Sequence, residues 1–415
     1  MSRPAPIALA AHRRRLAVDP DVLLLAGVLG IVALVRWCFT RSTLEDEIAH
    51  LPQIERFCRG DFTLIPDLTT IPGYHAVLAT IATILGTHSL EAMRTVNVAI
   101  AMATIGVTAS LLRAVRGRLP AHRLLQSAFF PIAFPYYFLV YTDVFALLLV
   151  LVALRLALAD RHRTAALVGI ASMLVRQTDV VWVAMLPVLA YVVRRGRLPL
   201  PRDGGTLLRS GWLYAVGIAG FAAFVSWNGG VALGDVGSHP AFTVHTGNVY
   251  FFLLLYALFF APGIAARLRA SATSLREPFV MLAFAALLAT YLLAYATDHP
   301  YNNFRPEFFL RNRILMAIAA SPALKVAVFV PIALAALDLG TTAAAQPAIA
   351  VVAACTVLVL VPSWLVEHRY DIIPFALLLL FRRDDGPAVE TSTTLAYVTV
   401  AMLFVYGIQN DWFFL

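Results

Sequence analysis

Charged side chains are scarce in this sequence. Only 13% of its 415 residues are Asp, Glu, Lys or Arg, whereas 60% are hydrophobic. A soluble globular domain carries about 25% charged residues, so the composition excludes a soluble protein and predicts an integral membrane protein. No stretch is both long and polar enough to form a separate soluble domain, and we therefore expect a single membrane domain over residues 1–415.

Lysine and cysteine are also nearly absent. Lys325 is the only lysine, so the formal net charge of +8 comes mostly from arginine. In a membrane protein such an excess marks topology and contact with lipid headgroups, and we expect no nucleic-acid partner. The three cysteines, Cys38, Cys58 and Cys355, are odd in number and two of them lie in apolar runs. They support neither a disulfide framework nor a zinc site.

Long hydrophobic runs predict an all-α, polytopic membrane protein with about 13 transmembrane helices. The runs lie near residues 22–38, 92–112, 123–138, 141–159, 164–177, 179–193, 210–228, 248–265, 279–297, 322–339, 347–365, 372–381 and 394–410. The first run follows three arginines, as in a signal peptide. Because it is long and no small-residue cleavage site precedes Glu45, we expect an uncleaved first transmembrane helix over residues 21–38.

The arginines of the loops indicate whether a further apolar run, Gly73–Gly86, crosses the membrane. If this run does not cross the membrane, most loop arginines fall on the cytoplasmic side, as the positive-inside rule requires. They are the arginines within residues 13–15, 113–123, 161–163, 194–209, 267–276 and 382–383. We therefore predict a long external loop over residues 39–91 with interfacial helices, and further transmembrane helices over residues 92–415.

Acidic residues follow the first span directly. Asp46, Glu47 and His50 lie close together there, and acids placed against a membrane span are costly unless they are functional. On a helix, Asp46 and His50 would lie one turn apart on one face, and Pro52 would kink or restart that helix. The alternative is that Thr43 and Asp46 form a capping box, which would make Asp46 a helix-start residue.

With this topology, several polar residues gather on the external side. Arg176 and Arg369 lie there against the charge bias, each at the junction of two apolar runs. A phosphate bound at the outer face would explain them, because a guanidinium pairs with phosphate oxygens in a forked geometry. The alternative is that each arginine is an interfacial anchor or neutralises a nearby acid.

A series of short motifs follows in one order along the chain. They are D-E-I-x-H-x-P-Q at Asp46–Gln53, L-T-T-I-P-G at Leu68–Gly73, M-R-x-V-N at Met93–Asn97, R-Q-T-D at Arg176–Asp179, G-D-x-x-S-H at Gly234–His239, H-P-Y at His299–Tyr301 and E-H-R-Y at Glu367–Tyr370. Together they resemble the dolichyl-phosphate-glucose-dependent α-1,2-glucosyltransferase family, which adds the terminal glucose in asparagine-linked glycan assembly. The chain departs from this family at Asp371, where the family has Phe.

The resemblance implies a GT-C fold, a catalytic acid in the first external loop at Asp46, and a lipid-phosphate sugar as donor. The candidate site residues form three groups by role. The catalytic candidates are Asp46, Glu47 and His50; the donor-binding candidates are Arg176, Gln177, His239, Arg305, His368 and Arg369; the acceptor-binding candidates are Gln53, Thr69, Thr70 and Asp235.

A sugar on a lipid phosphate is already activated, since the phosphate is the leaving group. The enzyme needs a base for the acceptor hydroxyl and hydrogen-bond donors for the phosphate, and attack opposite the leaving group inverts the anomeric centre. No metal or other cofactor is required. The alternative is a divalent ion held by Asp46, Glu47 and His50.

We therefore predict an inverting glycosyltransferase with a polyprenyl-phosphate-hexose donor, dolichyl or undecaprenyl, and a glycan or lipid-linked glycan acceptor; the resemblance implies glucose. The composition, rich in Ala and Arg, is typical of bacteria and predicts the inner membrane with a periplasmic site. In a eukaryote the same site would face the lumen of the endoplasmic reticulum. Alternatives are a transporter or flippase of lipid-linked sugars, a non-catalytic membrane scaffold, and a mannosyltransferase of the same superfamily. A transporter should show internal repeats, and none is clear.

Overall fold

The protein is all-helical. A computed structural model describes residues 19–66, 68–240, 243–274 and 277–415, without the side chains of residues 269–274. The N-terminal arginines and Arg276, which entered the topology prediction, lie outside the described residues. The described residues form seventeen α-helices and no β-strand. The helices are α1 (Pro20–Cys38), α2 (Glu47–Cys58), α3 (Gly73–Leu85), α4 (Leu90–Arg116), α5 (Ala121–Ala128), α6 (Thr142–Leu158), α7 (His162–Met173), α8 (Val180–Arg195), α9 (Gly204–Asn228), α10 (Gly247–Phe259), α11 (Ala261–Ser274), α12 (Pro278–Ala294), α13 (Leu310–Ala320), α14 (Pro322–Ala345), α15 (Pro347–Leu360), α16 (Ile372–Phe381) and α17 (Pro387–Gln409).

Six of the described helices are long and apolar enough to cross a membrane. They are α1, α4, α14 and α17, together with α8 and α9 when each is counted with the 3₁₀ turn before it. The pair α10 and α11 adds a seventh if it is one bent span. These helices confirm a multi-pass membrane protein, whereas the predicted total of about 13 transmembrane helices is not confirmed.

Several long helices begin with local capping that the sequence supplies. Asp19, Ser89 and Ser321 each accept a hydrogen bond from a backbone N–H in the first turn of α1, α4 and α14. Pro20 and Pro322 occupy the first helical position, where the N–H that proline lacks would have had no partner. These starts therefore follow from the sequence around them.

Two of the predicted spans are interrupted. The run near residues 123–138 is not one helix, because α5 ends early and a 3₁₀ turn follows at Phe134–Phe138. Pro131 and Pro135 account for this break, since proline has no N–H for an α-helical hydrogen bond. The run near residues 248–265 bends by 81° between α10 and α11.

Helices α2 and α3 occupy the predicted external loop and pack against each other. Pro52 was predicted to kink or restart the helix; α2 continues through this residue, so the restart is wrong, and the kink stays a prediction. Helix α3 has 13 residues, fewer than the roughly 20 that a transmembrane helix needs. Its length supports an interfacial placement, which remains a prediction.

Three segments that the topology places outside are held together by close backbone contacts. The Gly73 N–H donates to the Leu174 carbonyl at 3.0 Å, and the Gly234 N–H donates to the Leu68 carbonyl at 3.0 Å. A Cβ at Gly73 would lie 2.4 Å from the Leu174 oxygen, and one at Gly234 would lie 2.0 Å from the Pro66 oxygen. Only glycine allows these approaches. The first loop is therefore fixed against the end of α7 and the loop after α9.

Candidate active site

Asp46 lies at the N-cap position of α2, but its side chain makes no capping hydrogen bond. Its Oδ2 atom instead accepts a hydrogen bond from Arg369 Nη1 at 2.7 Å. The side chain of Asp46 is 45% exposed, while its backbone N–H donates to the Tyr141 hydroxyl at 3.1 Å. This geometry does not support the capping alternative, because the carboxylate of Asp46 pairs with Arg369 and not with a backbone N–H of α2. The carboxylate lies at an accessible surface.

The electrostatics around Asp46 keep it ionised. Partial burial alone would raise the pKa of Asp46, but the positive charge of Arg369 and its hydrogen bond to the carboxylate outweigh that effect. The pKa of Asp46 consequently lies below the ordinary aspartate value. Asp46 is thus a carboxylate at neutral pH, and Arg369 reduces its basicity.

Asp143 brings the two unusual arginines together. It lies in the first turn of α6 and is buried. Its Oδ1 atom accepts a hydrogen bond from Arg176 Nη1, and its Oδ2 atom lies 3.8 Å from Arg369 Nη1. The arginine side chains remain partly accessible, 14% for Arg176 and 21% for Arg369. Two cationic groups therefore converge on one buried carboxylate.

Asp143 was absent from the candidate residues that the sequence suggested. Its signal was an acid at the start of an apolar run, which is costly without a partner. Aromatic rings also fix the two guanidinium planes: Arg369 lies over Tyr141 at 5.3 Å and Arg176 lies over Tyr370 at 5.7 Å. Such contacts favour a guanidinium over an ammonium at both positions.

The E-H-R-Y motif supplies both Arg369 and its supports. Glu367 Oε1 lies 3.6 Å from Arg369 Nε and 2.9 Å from His368 Nδ1, and the other Glu367 oxygen accepts from Arg311. His368 Nε2 lies 2.7 Å from the Tyr136 hydroxyl. Burial, reinforced by the positive charges of Arg311 and Arg369, holds the pKa of His368 well below its ordinary value. His368 is therefore neutral and enclosed, which opposes the expectation that it binds the donor directly.

Glu47 is fully buried, unlike its neighbour Asp46. Glu47 Oε1 accepts hydrogen bonds from Arg94 Nε at 2.9 Å and from the Val140 N–H at 2.8 Å. Glu47 Oε2 accepts from Arg94 Nη2 and from the Leu44 N–H. Both oxygens are occupied, so Glu47 ties α2 to α4 and to the segment before α6. This geometry opposes the expectation that Glu47 is catalytic.

His50 forms a buried pair with His75, a residue of α3 that the sequence did not single out. His50 Nδ1 lies 2.8 Å from His75 Nε2, and His50 also contacts the Tyr141 ring edge-on at 5.7 Å. Burial lowers the pKa of His50, although Asp46 opposes this shift. Burial and the neighbouring His50 hold the pKa of His75 well below its ordinary value. Both imidazoles are therefore neutral at pH 7.

Arg305 reaches the same region through Glu45, the residue before Asp46. Arg305 Nη1 lies 3.2 Å from Glu45 Oε1, and Arg305 is 44% exposed. Its guanidinium rests on the Phe308 ring at 4.5 Å. Glu45 and Arg305 both have positive φ angles, 39° and 42°, which are uncommon for residues other than glycine. Arg305 is therefore held at an accessible edge of the site.

Gln177 and Gln53 use their amides inside the protein. Gln177 Nε2 donates to the Thr69 carbonyl at 2.9 Å and to a carbonyl in the loop after α9. Gln53 Nε2 donates to the Thr63 carbonyl at 3.1 Å, and Gln53 Oε1 accepts from the Ile65 N–H at 2.8 Å. These contacts fix the first loop, so both glutamines shape the site and do not present a free amide to substrate.

A second polar cluster contains the remaining predicted ligands. Asp235 Oδ2 accepts a hydrogen bond from the Tyr301 hydroxyl at 2.8 Å. His239 Nδ1 lies 3.2 Å from the Asp235 carbonyl oxygen, and the His239 ring lies 6.2 Å from that of His299. The hydroxyl of Thr70 is buried without a hydrogen-bond partner among the described residues. The G-D-x-x-S-H and H-P-Y motifs thus meet each other.

Among the described residues, the group with metal-ligand geometry lies elsewhere. His122, Asp384 and Glu390 place one ligand atom each within 4.8 Å of one another. Arg123 and Arg382 both contact Glu390, and their charges oppose a bound cation. The ion site considered at the start of α2 meets the same obstacle, since both of its carboxylates already pair with arginines, Asp46 with Arg369 and Glu47 with Arg94.

Known proteins resemble this chain over most of its length. The model of the DIE2/ALG10 family matches residues 40–198 and 200–380. A Drosophila melanogaster relative, named Dol-P-Glc:Glc(2)Man(9)GlcNAc(2)-PP-Dol alpha-1,2-glucosyltransferase, is 27% identical over 319 residues, which cover 66% of this chain and 69% of the relative. The protein of the same name from Arabidopsis thaliana is 25% identical over 462 residues, 87% of this chain and 89% of the relative. The one from Rattus norvegicus is 28% identical over 280 residues, 54% of this chain and 59% of the relative. No solved structure matches the chain.

The matched residues include Asp46, Asp143, Arg176 and Arg369. The family predicted from the motifs is therefore confirmed, and the names of the relatives support the predicted glycosyltransferase. A bacterial origin stays a prediction. Since the family model covers most of the sequence, including the segments that carry Asp46 and Arg369, the chain belongs to the DIE2/ALG10 family.

Proposed function

We propose that this protein is an inverting membrane glycosyltransferase of GT-C type. It moves a hexose, glucose by analogy with its relatives, from a polyprenyl-phosphate donor to a hydroxyl of a glycan or lipid-linked glycan. The observation that carries the proposal is the accessible pair of Asp46 and Arg369, 2.7 Å apart. It joins a carboxylate able to accept a proton to a guanidinium able to bind a phosphate.

The donor phosphate is bound by Arg369 and Arg176. In the described contacts, Arg176 uses one guanidinium nitrogen for Asp143, and a guanidinium carries five N–H donors in all. Enough donors remain for a forked contact with phosphate oxygens. Arg305, at the exposed edge, adds positive charge where the donor enters.

Asp46 acts as the general base. It accepts the proton of the acceptor hydroxyl while the new bond forms between that oxygen and the anomeric carbon of the sugar. The bond between the anomeric carbon and the phosphate oxygen breaks, and polyprenyl phosphate leaves with the bonding electrons. Arg369 and Arg176 stabilise the charge that grows on this phosphate. Attack from the opposite face makes an α-linked product from a β-linked donor.

The acceptor lies on the side of the second polar cluster. Asp235, His239 and Tyr301 offer a carboxylate, an imidazole and a hydroxyl group, in that order, for sugar hydroxyls. The Thr70 hydroxyl, buried without a partner among the described residues, is a further acceptor-binding candidate. Gln53 and Gln177 hold the loop that carries Thr69 and Thr70. Glu47 and His368 act as supports for Asp46 and Arg369.

The active site faces the external side of the membrane. The arginine-rich loops then lie in the cytoplasm, and the site faces the periplasm in a bacterium or the lumen of the endoplasmic reticulum in a eukaryote. The lipid bilayer itself is a partner, because it delivers the donor laterally.

Purified protein with synthetic polyprenyl-phosphate-glucose tests the proposal. We expect release of polyprenyl phosphate that depends on an added glycan acceptor, with an α-linkage in the product by NMR. The Asp46→Asn variant should release polyprenyl phosphate about 10²–10⁴-fold more slowly. Preference for polyprenyl-phosphate-mannose would change the sugar. Movement of the donor across liposome membranes without any release of polyprenyl phosphate would refute the enzyme and favour a flippase.

A further inference from the structure

The pair of His50 and His75 holds a proton whose position determines what His50 can do. The nitrogen atoms His50 Nδ1 and His75 Nε2 lie 2.8 Å apart, a normal hydrogen-bond distance. Both rings are buried, His75 completely. Each neutral imidazole carries one N–H and one lone pair, so one ring donates and the other accepts.

Burial of the other His75 nitrogen selects the donor. His75 Nδ1 is buried and has no hydrogen-bond partner in the part of the chain that the structure describes. If the proton of His75 were on Nδ1, an N–H group would be buried without an acceptor, which folded proteins rarely tolerate. A proton on His75 Nε2 instead donates to His50 and leaves only a lone pair unpaired. The second arrangement costs less free energy.

This arrangement fixes the tautomer of His50. Because His50 Nδ1 accepts from His75, the single proton of the neutral His50 must lie on Nε2. His50 begins the second turn of α2, one turn after Asp46, and its backbone N–H donates to the Asp46 carbonyl at 2.9 Å. The imidazole therefore carries an N–H, and not a basic lone pair, on Nε2, and the charge of Asp46 acts on this ring.

We propose that His75 is a positioning residue that holds His50 in the Nε2–H tautomer, so that His50 serves the site as a hydrogen-bond donor and leaves Asp46 as the base. The inference deepens the proposed function, on which its kinetic part rests. It also gives α3 a role, since this helix brings His75 against α2. An N–H at this position suits an oxygen of the donor phosphate or of the sugar.

Three substitutions of His75 separate the roles. His75→Gln keeps an N–H that can donate to His50 Nδ1, and His75→Leu removes the contact. His75→Glu offers an acceptor that favours a proton on His50 Nδ1. His88, an exposed histidine that contacts Glu55, provides the matched control His88→Leu.

The first readout is the tautomer itself. Nitrogen-15 NMR of protein labelled at histidine distinguishes Nδ1–H from Nε2–H rings, and the His50→Gln spectrum identifies the His50 signals by difference. We expect His50 as Nε2–H in the wild type and in His75→Gln, a mixture in His75→Leu, and an Nδ1–H or doubly protonated ring in His75→Glu. A wild-type His50 with its proton on Nδ1 would overturn the proposal.

The second readout is kinetic. In metal sites, loss of a group that orients a ligating histidine costs about 10–100-fold in activity. We expect a similar loss in His75→Leu, and His75→Gln should recover most of it. His88→Leu should match the wild type. Equal kcat and KM in His75→Leu and the wild type would refute the positioning role. Thermal unfolding of each variant separates this effect from misfolding, and His75→Gln, which preserves the contact, tests the proposal if the Leu variant does not fold.

Failure of the proposed function gives a different pattern. If the protein does not transfer sugar at all, every variant is equally inactive, yet the NMR measurement still tests the His75 contact. If transfer occurs but the tautomer of His50 is wrong, only the present inference fails.

Discussion

Replacing Asp46 by Asn separates chemistry from folding. The substitution preserves the shape of the side chain and removes its negative charge. Asn caps a helix about as well as Asp, and the Asp46 side chain makes no capping bond that could be lost. Only the proton-accepting charge and its contact with Arg369 change.

The structure predicts a small cost in stability. The pair of Asp46 and Arg369 is partly exposed, and such pairs contribute about 0–1 kcal/mol. Arg369 also keeps other anionic neighbours, Glu367 Oε1 at 3.6 Å and Asp143 Oδ2 at 3.8 Å. The guanidinium is therefore not left uncompensated, and the free energy of unfolding should change by about 1 kcal/mol or less.

The expected cost in turnover is much larger. General base catalysis contributes about 10²–10⁴-fold, which corresponds to roughly 3–5 kcal/mol of transition-state stabilisation. Release of polyprenyl phosphate by Asp46→Asn should fall by this factor. Glu55→Gln is a matched control, since Glu55 is an acid on the same helix, is 36% exposed and pairs with Arg59. It should remain within about fivefold of wild type. Turnover of Asp46→Asn within tenfold of the control, in folded protein, would refute Asp46 as the base.

Three further outcomes are expected. In a background without the native cysteines, Phe62→Cys should react with an impermeant maleimide from outside, because Phe62 is 78% exposed, and Arg118→Cys should not. Labelling of both variants from one side would contradict the interfacial placement of α3. Arg176→Ala should raise the donor KM by about tenfold or more, the cost of a charged hydrogen bond, and Arg176→Lys should restore only part because an ammonium has no fork; an unchanged KM in both would make Arg176 an anchor. Glu47→Gln should lower the free energy of unfolding by about 3–5 kcal/mol because it leaves Arg94 buried and unpaired, and adding Arg94→Met should recover part of this loss; a stability change under 1 kcal/mol would contradict the structural role of Glu47.

Composition and the length of the apolar runs were sufficient for the all-helical, multi-pass class. The scarcity of charge predicted a polytopic membrane protein, and the helices confirm it. The number of spans was harder to predict. An apolar run indicates burial in lipid or protein, but it does not show whether the helix is continuous. The run containing Pro131 and Pro135 shows this, since it breaks into α5 and a 3₁₀ turn. The prolines were visible in the sequence, but apolar length was given more weight.

The site was only partly predictable, for a reason that Asp46 and Glu47 illustrate. Neighbours on a helix point about 100° apart, so one can be exposed while the other is buried. Which arginine each carboxylate meets depends on distant segments: Glu47 pairs with Arg94 of α4, 47 positions further along the chain, and Asp46 pairs with Arg369. Sequence spacing within α2 carries no information about that contact. His75 was missed for the same reason, because its partner His50 belongs to another helix.

Arg369 pairs with Asp46 and is also the proposed ligand of the donor phosphate. These two roles have a measurable consequence. In the free protein the charge of Arg369 lowers the pKa of Asp46, with help from Arg311. If Arg369 binds the donor phosphate, the added negative charge offsets that effect, so the pKa of Asp46 rises and its basicity increases only when donor is present. The acidic limb of kcat/KM for the donor, which reports the free enzyme, should therefore lie at lower pH than the acidic limb of kcat. In Arg369→Gln the two limbs should move to higher pH and approach each other, because burial then raises the pKa of Asp46 and only the smaller effect of Arg311 opposes it. Coincident limbs in the wild type would mean that Arg369 binds Asp46 and not the phosphate, and Arg176 would then carry the donor.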